Sequence, residues 1–423
     1  MSVPRPTPTL SPQVVEPVTR IPPDAVKAEA PERSIALCLS GGGYRAMLFH
    51  VGALWRLQEI GYLNATASAA RAADLGPLAR ISSVSGGSIT AGLLALKWND
   101  CKTADPDSAT RIAAFLKEIV QPIRAMGHVN VAGYNFGALF KVFTAILLPG
   151  TVNEYVARQY RKSLFGTAKL ADIVAAPRFV INSTNLQSAA LWRFTQAYMA
   201  DWRVGTIADT TLIDLAQAVA ASSAFPPPLS PAQLRFRPSD YTPGSGGTGD
   251  DNLERAPFTT NPTLTDGGVY DNLGLETAWK NHQTVLVSDA GRAIPAEEKV
   301  GIDWISQGLR SIDVIQSQVR AMRIRDLINS FKAPPSQSSA RHGCYWGAGS
   351  DVAHYPAPAA LPCPVEKTSK LAAVVTDLAD KDDTLQEQLI NWGYAICDTA
   401  LRSWVDPRLQ SPTKFPYPAS GVG

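Results

Sequence analysis

A serine directly after a short apolar run is the first residue whose setting suggests chemistry. The run Ile81-Ser-Ser-Val84 ends at Ser85-Gly86-Gly87, and Ile89, Leu93 and Leu96 follow at helical spacing. A serine among small residues, between a strand and a helix, resembles the nucleophile elbow G-x-S-x-G, whose strained turn presents the hydroxyl to a substrate. Ser85 is therefore a candidate nucleophile. On its own the pattern is also typical of a turn or a helix cap, and Ser83 replaces the first glycine.

Three consecutive glycines form a second candidate element. Gly41, Gly42 and Gly43 follow the apolar run 34–39 and precede a helical pattern. Backbone N–H groups at such a place are free of side chains and lie at the positive end of a helix dipole, so they could stabilise an oxyanion. Arg45, one turn into the helix, is expected to orient these amides or to meet a phosphate, with a surface or inter-loop ion pair as the alternative.

The same glycines also match a dinucleotide-binding fingerprint. Gly41, Gly43 and Ala46 fit G-x-G-x-x-[GA] after a strand. A dinucleotide site needs an acidic residue about 20 positions on, at the end of the second strand, to hold the ribose. Glu59 lies near that distance but inside the helical stretch 55–60, so dinucleotide binding is the weaker alternative.

Asp266 is the candidate base. It precedes Gly267 and Gly268, although a lone aspartate at such a turn could also form an Asx turn. The histidines that could act instead lie in no motif after a strand; they are His50, His128, His282, His342 and His354. A Ser–Asp dyad, with direct proton transfer between the two residues, is therefore simpler than a triad. It also predicts a pH–rate profile without an essential limb near the ~6.5 of imidazole.

The elements that must position these residues alternate between strands and helices. Buried-strand patterns cover 34–39, 81–84, 178–182 and 284–288, and helical patterns separate them. This order predicts an α/β fold, a three-layer α/β/α sandwich with a mainly parallel central sheet. In open sheets of this kind, sites lie beyond the carboxyl ends of the strands, where the candidate residues fall.

Composition suggests three parts of the chain. Eight prolines fall in the first 31 residues, so residues 1–32 are predicted to be a flexible tail. Residues 33–295 are interpreted as a catalytic domain with a loop insertion near 227–262. Residues 296–423 are interpreted as a helical C-terminal extension packed on it.

Two amphipathic helices are predicted in the C-terminal part. The first is marked by Ile305, Leu309, Ile312, Ile315, Val319 and Met322, and the second by Leu385, Leu389, Trp392 and Ile396. Both apolar faces are expected to pack on a core. Arg320, Arg323 and Arg325 in the first helix are interpreted as solvated charges, with lipid head groups as the alternative partners.

Charge and composition argue against several classes of protein. The 423 residues carry 39 Lys and Arg against 37 Asp and Glu, without the basic patches of a nucleic-acid binder. The five cysteines are odd in number and lack CxxC spacing, which favours a reducing, cytoplasmic setting over disulfides or a zinc site. The opening MSVPRPTPTLSP lacks the apolar region of a signal peptide. No apolar run reaches the ~18 to 20 residues of a spanning helix, so any membrane contact is expected to be peripheral.

Four motifs, in this order, resemble the patatin-like phospholipase family. They are Ser40-Gly-Gly-Gly-Tyr-Arg45, the serine elbow, Ala221-Ser-Ser-Ala-Phe-Pro226 and Asp266-Gly-Gly-Val-Tyr-Asp-Asn272. The first motif is also similar to the cytosolic phospholipases of animals, and the resemblance spans roughly residues 34–295. It implies Ser85 as nucleophile, Asp266 as its dyad partner, Gly41 to Gly43 as the oxyanion loop and Arg45 as a substrate-binding residue. Ser83 and Ala46 stand where the family usually has glycine.

The resemblance implies a serine lipid acyl hydrolase of the phospholipase A type, a carboxylic ester hydrolase that needs neither metal nor cofactor. Its expected partner is a membrane phospholipid or another acyl lipid, cleaved through an acyl-enzyme. An acyltransferase or thioesterase would use the same dyad. A catalytically silent lipid-binding protein is less consistent with the sequence, because both dyad residues are present. Phe225 and Pro226 to Pro228 are candidates for the rim of an acyl groove.

Overall fold

The fold was analysed on a computed structural model that describes residues 31–63, 75–102, 105, 107–131, 151–292, 294 and 296–423. The predicted flexible tail, residues 1–32, lies outside the described residues except for its last two positions. The strands are β1 (Glu32–Leu39), β2 (Leu78–Val84), β3 (Arg178–Asn185), β4 (Ala190–Phe194), β5 (Met199–Asp201), β6 (Gly205–Ile207), β7 (Ala232–Gln233), β8 (Thr263–Asp266), β9 (His282–Asp289) and β10 (His342–Gly347). The α-helices are α1 (Gly43–Glu59), α2 (Gly86–Leu96), α3 (Ser108–Phe115), α4 (Gln121–Gly127), α5 (Thr151–Tyr160), α6 (Leu215–Ser222), α7 (Gly268–Asp271), α8 (Trp304–Lys332), α9 (Val365–Ala373) and α10 (Asp383–Trp404).

The described strands form one mixed sheet in the order β10-β9-β1-β2-β3-β4-β5-β6. The strands from β10 to β3 run parallel, whereas β3 to β6 pair antiparallel. The short strands β7 and β8 are antiparallel additions beside β3. The α/β fold is therefore as predicted, and the mainly parallel character holds for the half of the sheet that carries β1 and β2.

Helices cover both faces of the sheet. In β1, Leu37 and Leu39 point into a large core that includes residues of α1, α2 and α10. The alternate residues Ala36 and Cys38 join a smaller cluster on the other face, where Leu327 of α8 packs. Because successive strand residues face opposite sides, this division shows the three-layer arrangement that the sequence predicted.

The chain after residue 296 contributes a strand as well as helices. β10 pairs in parallel with β9 and forms an edge of the central sheet. Only helices were predicted here, because His342-Gly-Cys-Tyr-Trp-Gly347 is short and begins and ends near glycine, so it lacks a recognisable strand pattern. Earlier in the chain, residues 227–262 have mostly irregular backbone, interrupted by β7 and two 3-10 turns.

The two predicted C-terminal helices form, but they pack differently. In α10 the expected residues Leu389, Trp392 and Ile396 are fully buried. In α8 the expected face is exposed: Leu309, Ile312, Ile315, Val319 and Met322 are 39%, 41%, 61%, 37% and 56% accessible. The expectation that this face packs on a core is wrong, because periodicity shows that a helix has an apolar side and not what covers it.

None of the helices in the described ranges has the length and apolar composition that crossing a bilayer requires.

The helices α1 and α10 pack against each other inside the large core with their backbones in contact. A Cβ atom on Gly393 would overlap the Phe49 carbonyl oxygen, and one on Gly52 would overlap the Ile390 carbonyl oxygen. Glycine at both positions allows this approach and joins the C-terminal helix to the helix that follows the glycine loop.

We expect Gly393→Ala to lower the free energy of unfolding by about 3 kcal/mol, because the added methyl group must push the two helices apart. Chemical denaturation followed by circular dichroism measures the change. Gly308→Ala in α8 is the control, since nothing lies within 4 Å of a Cβ atom added at that helical glycine. Equal midpoints for the two variants would contradict the close packing of α1 on α10.

Candidate active site

Ser85 occupies a strained turn between β2 and α2. Its backbone angles are φ 51° and ψ −122°, in a region that non-glycine residues rarely adopt. The residue is 8% exposed and lines a cavity. This is the geometry expected of a nucleophile elbow, in which the turn holds the hydroxyl clear of the strand and the helix.

The glycines after Ser85 let α2 start against the loop between β1 and α1. A Cβ atom on Gly86 would overlap the Gly43 carbonyl oxygen, and one on Gly87 would lie 2.6 Å from the carbonyl oxygens of Leu39 and Ser40. No side chain fits at either position. The turn at Ser85 and the glycine loop are therefore held together by direct backbone packing.

A set of buried hydroxyls supports the elbow from below. Ser222 Oγ accepts the Ser85 N–H at 3.0 Å and donates to the Asn182 carbonyl at 2.7 Å. Ser88 Oγ lies 2.9 Å from Ser222 Oγ and donates to Ser83 Oγ at 3.0 Å. Ser83 is thus accommodated where a glycine is usual. The motif 221–226 is visible in the sequence, but this supporting role of Ser222 is not.

Strand register brings Asp266 to Ser85. β3 pairs with β4 along one edge, so β2 and β8 must share its other edge. Val84 of β2 is opposite Asn182, and Asp266 of β8 is opposite the next residue, Ser183. The two strands therefore run toward each other and end side by side. Asp266 arrives on an antiparallel strand, and not at the carboxyl edge of a parallel one as the sequence suggested.

Burial makes Asp266 a stronger base than an exposed aspartate. The residue is 3% exposed, and burial raises the pKa of its carboxyl to about 6, against the lowering effect of the Gly268 N–H and the Ser85 hydroxyl. Gly268 N–H donates to Oδ1 at 2.7 Å, whereas Oδ2 is buried without a partner at normal hydrogen-bond geometry. The contact with Ser85 is thus looser than a formed hydrogen bond, as is common in unliganded sites.

No histidine lies at this site, although the structure describes all five. None of them lines the cavity. His50 is buried between Ser288 Oγ and the Ser40 carbonyl, and burial lowers its pKa to about 4. His282 bonds Ser34, and His128 contacts Asp380 on the surface. The structure therefore places Asp266, and no imidazole, beside Ser85.

The three glycines of the loop are not equivalent. Gly41 was expected to be one of the oxyanion donors. Its N–H instead donates to the Asn272 carbonyl at 3.1 Å, so this hydrogen is already used. Gly42 and Gly43 have positive φ angles of 145° and 59°, and their N–H groups have no acceptor among the described residues. Gly42 precedes α1 and Gly43 is its first residue, and backbone amides at this end of a helix carry partial positive charge.

Arg45 is buried and engaged inside the protein. Its Nε and Nη2 donate to the Ala290 carbonyl at 3.0 and 2.8 Å, and Nη1 donates to the Val374 carbonyl. Burial lowers its pKa to about 10. Arg45 therefore holds the backbone after β9 through main-chain carbonyls, and its substrate-binding role stays a prediction.

The cavity in front of Ser85 has a volume of about 470 Å³. Its apolar wall includes Val131, Val152, Tyr155, Phe225, Leu229 and Leu378. The wall from α8 is polar and includes Arg310, Asp313, Gln316, Ser317 and Arg320. Phe225 and Pro228 line the cavity, as the rim prediction expected.

Glu59, the acidic residue that dinucleotide binding would need, does not lie at the end of a strand. Glu59 ends α1 and does not follow a strand. Its carboxylate accepts from Arg56 at 3.1 Å and from the Tyr394 hydroxyl at 2.5 Å. It therefore lies among α1 and α10 side chains instead of at the end of a second strand, where a ribose would need it.

Comparison with solved structures finds similar chains at low sequence identity. Human GIVD cytosolic phospholipase A2 is 11% identical, with a TM-score of 0.47, and the match covers 92% of this chain and 63% of that one. VipD from Legionella pneumophila is 14% identical, with a TM-score of 0.32, over 87% of this chain and 66% of that one. The chain thus spans less than two thirds of the human enzyme. Among curated protein sequences no match is found.

A family model gives the assignment. The model of the patatin-like phospholipases matches residues 37–279, which is more than half of the 423 residues. The matched stretch contains the glycine loop, the elbow at Ser85 and Asp266. The chain therefore belongs to the patatin-like phospholipase family.

Proposed function

We propose that the protein is a serine lipid acyl hydrolase of the phospholipase A type, which cleaves fatty-acyl esters of membrane lipids with a Ser85–Asp266 dyad. The observation that carries the proposal is the buried Asp266 carboxylate, with its pKa raised to about 6, beside a serine on a strained elbow. A carboxylate with this pKa is ionised at neutral pH and accepts a proton more readily than an exposed aspartate.

The first half of the reaction forms an acyl-enzyme. Ser85 Oγ attacks the ester carbonyl carbon while its proton passes to Asp266. The negative charge that develops on the carbonyl oxygen is stabilised by the N–H groups of Gly42 and Gly43, and each such donor is worth about 3 to 4 kcal/mol in the transition state. The intermediate then collapses, and the leaving alcohol takes the proton from Asp266.

The second half releases the fatty acid. Asp266 removes a proton from water, which attacks the acyl-enzyme, and the same two amides stabilise the second tetrahedral intermediate. Collapse frees the carboxylic acid and returns the proton to Ser85. The apolar wall of the cavity suits an acyl chain, since apolar side chains around a few polar groups are typical of such sites.

Membrane contact is proposed for the exposed face of α8. Trp304, Ile315 and Met322 are 82%, 61% and 56% exposed. Other residues of the same helix line the cavity, so a bilayer bound to this face would lie next to the site. Amphipathic helices of this kind lie in the membrane interface without crossing it.

A cytoplasmic setting remains part of the proposal. The five cysteines are buried free thiols. Unpaired thiols are usual in reducing compartments, whereas secreted proteins tend to pair them. Their burial also raises the pKa of Cys101 and Cys363 to about 12, which keeps these thiols protonated and unreactive.

We expect Ser85→Ala to abolish hydrolysis of a lipid ester and labelling by a fluorophosphonate, because the neighbouring hydroxyls of Ser83 and Ser88 are fully buried and hydrogen-bonded to each other. Stability should change little, since the hydroxyl faces the cavity and fills no core. Ser317→Ala, on the α8 wall of the cavity, is the control and should keep both hydrolysis and labelling. Labelling of Ser83 or Ser88 by the probe would show that the nucleophile is wrongly assigned.

We expect Asp266→Asn to lose nearly all activity. In the wild type, kcat/KM should fall as the pH decreases through about 6, because the base must be ionised and its pKa is raised to that value. Because this limb would lie close to the ~6.5 of imidazole, it replaces the expectation of a profile without one, and mutation must identify the base. His128→Gln should stay within about tenfold of wild type. A folded histidine variant as inactive as Ser85→Ala would establish a triad.

We expect Trp304→Ala combined with Ile315→Ser to reduce sedimentation with phosphatidylcholine vesicles about tenfold or more, because both side chains would leave the interface. Hydrolysis of a monomeric short-chain ester should be unchanged. Trp404→Ala is the matched control, since Trp404 is a 53% exposed tryptophan at the end of α10. An unchanged vesicle affinity would contradict the assignment. A wild-type protein that is a dimer, with a double variant that is a monomer, would also contradict it, because the face would then be a protein interface.

A further inference from the structure

The basic residues around the cavity differ in whether their charge is already used. Four arginines line it, and three are engaged: Arg45 by carbonyls, Arg310 by Glu297 at 3.1 Å, and Arg320 by Asp289 at 2.6 Å. Arg292 is exposed at the opening. In the described part of the chain, no carboxylate or carbonyl lies within ion-pairing or hydrogen-bonding distance of its guanidinium.

The backbone that carries Arg292 is held from three sides. Arg45 donates to the Ala290 carbonyl, and the Ala290 N–H donates to Ser40 Oγ at 2.7 Å. The Gly291 N–H donates to Asp289 Oδ1 at 2.8 Å. Arg292 thus extends from a fixed anchor next to the glycine loop. Its proximity to Arg45 is also evident in the pKa of Arg45, which burial lowers most and the charge of Arg292 lowers further.

We propose that Arg292 binds the phosphodiester of the substrate and makes this site prefer phospholipids over uncharged acylglycerols. The inference rests on the proposed function and names the head group that the same site selects. An arginine matches a phosphate with two parallel hydrogen bonds, and one without an internal partner loses no existing ion pair on binding. A substrate ester at Ser85 carries its phosphate only a few bonds away, toward the opening where Arg292 lies.

The test compares phosphatidylcholine with diacylglycerol of the same acyl chains, each in Triton X-100 mixed micelles. We expect Arg292→Gln to lower the ratio of kcat/KM for phospholipid over diacylglycerol by about ten- to thirtyfold, mainly through the phospholipid KM, because one charge-assisted contact is lost. Arg292→Lys should recover part of the preference. Lys299→Gln, an exposed cation of the same segment outside the cavity, should change the ratio less than twofold.

Other outcomes would overturn the assignment. An unchanged ratio of kcat/KM for the two lipids, which includes an equal loss of activity on both, would mean that Arg292 does not recognise the head group. Inorganic phosphate is the competing source of the same chemistry: if it inhibits wild type on both lipids, and Arg292→Gln removes the inhibition without changing the ratio, the subsite takes free phosphate. If wild type cleaves neither lipid, the proposed function fails. Protection of Ser85 from a fluorophosphonate by ether phospholipid, compared with ether glyceride, then decides the role of Arg292 separately.

Discussion

The ends of β2 and β8 meet on one edge of β3, and the proposed chemistry depends on this meeting. Val84 and Asp266 are opposite consecutive residues of β3, so the residue after β2 and the last residue of β8 must be neighbours. Hydrogen bonds of a sheet set such a register firmly, because a slip by one residue would turn every side chain to the other face. The glycine loop reaches the same point because Gly43 and Gly86 are packed backbone against backbone.

Most charged side chains around the site are engaged in contacts inside the protein, whereas Arg292 is exposed. Arg45 holds the carbonyl of Ala290, and Ser40 fixes the same residue through its N–H. Burial alone would raise the pKa of Asp289, but its ion pair with Arg320 lowers it below the usual value. These buried contacts stabilise the segment after β9, from which Arg292 extends with an unused charge. Buried Arg45 thus fixes the backbone two residues before the exposed Arg292.

Helix α8 has a different environment on each side. Arg320 and Arg323 join it to the buried carboxylates of Asp289 and Asp271 at 2.6 and 3.6 Å, so these arginines are not the solvated charges that the sequence suggested. Leu327 ties its C-terminal half to the core. Its N-terminal half has an exposed apolar face and a polar wall toward the cavity. The helix is thus attached to the core through its C-terminal half, and the proposed lipid contact falls on the exposed face of its N-terminal half.

The sequence alone determined the local elements of the site, and the tertiary structure decided how their groups are used. The elbow at Ser85, the glycine loop, the strands on either side of α1 and the helix α10 could be predicted, since each depends on neighbouring residues whose backbone preferences and spacing are visible in the chain. The three-part division of the chain stays a prediction. The engagement of the Gly41 amide by Asn272, the capture of Arg45 by Ala290 and the antiparallel arrival of Asp266 could not be predicted. Each joins residues more than 80 positions apart, and a hydrogen bond between such residues is set by sheet register and helix packing instead of by local pattern.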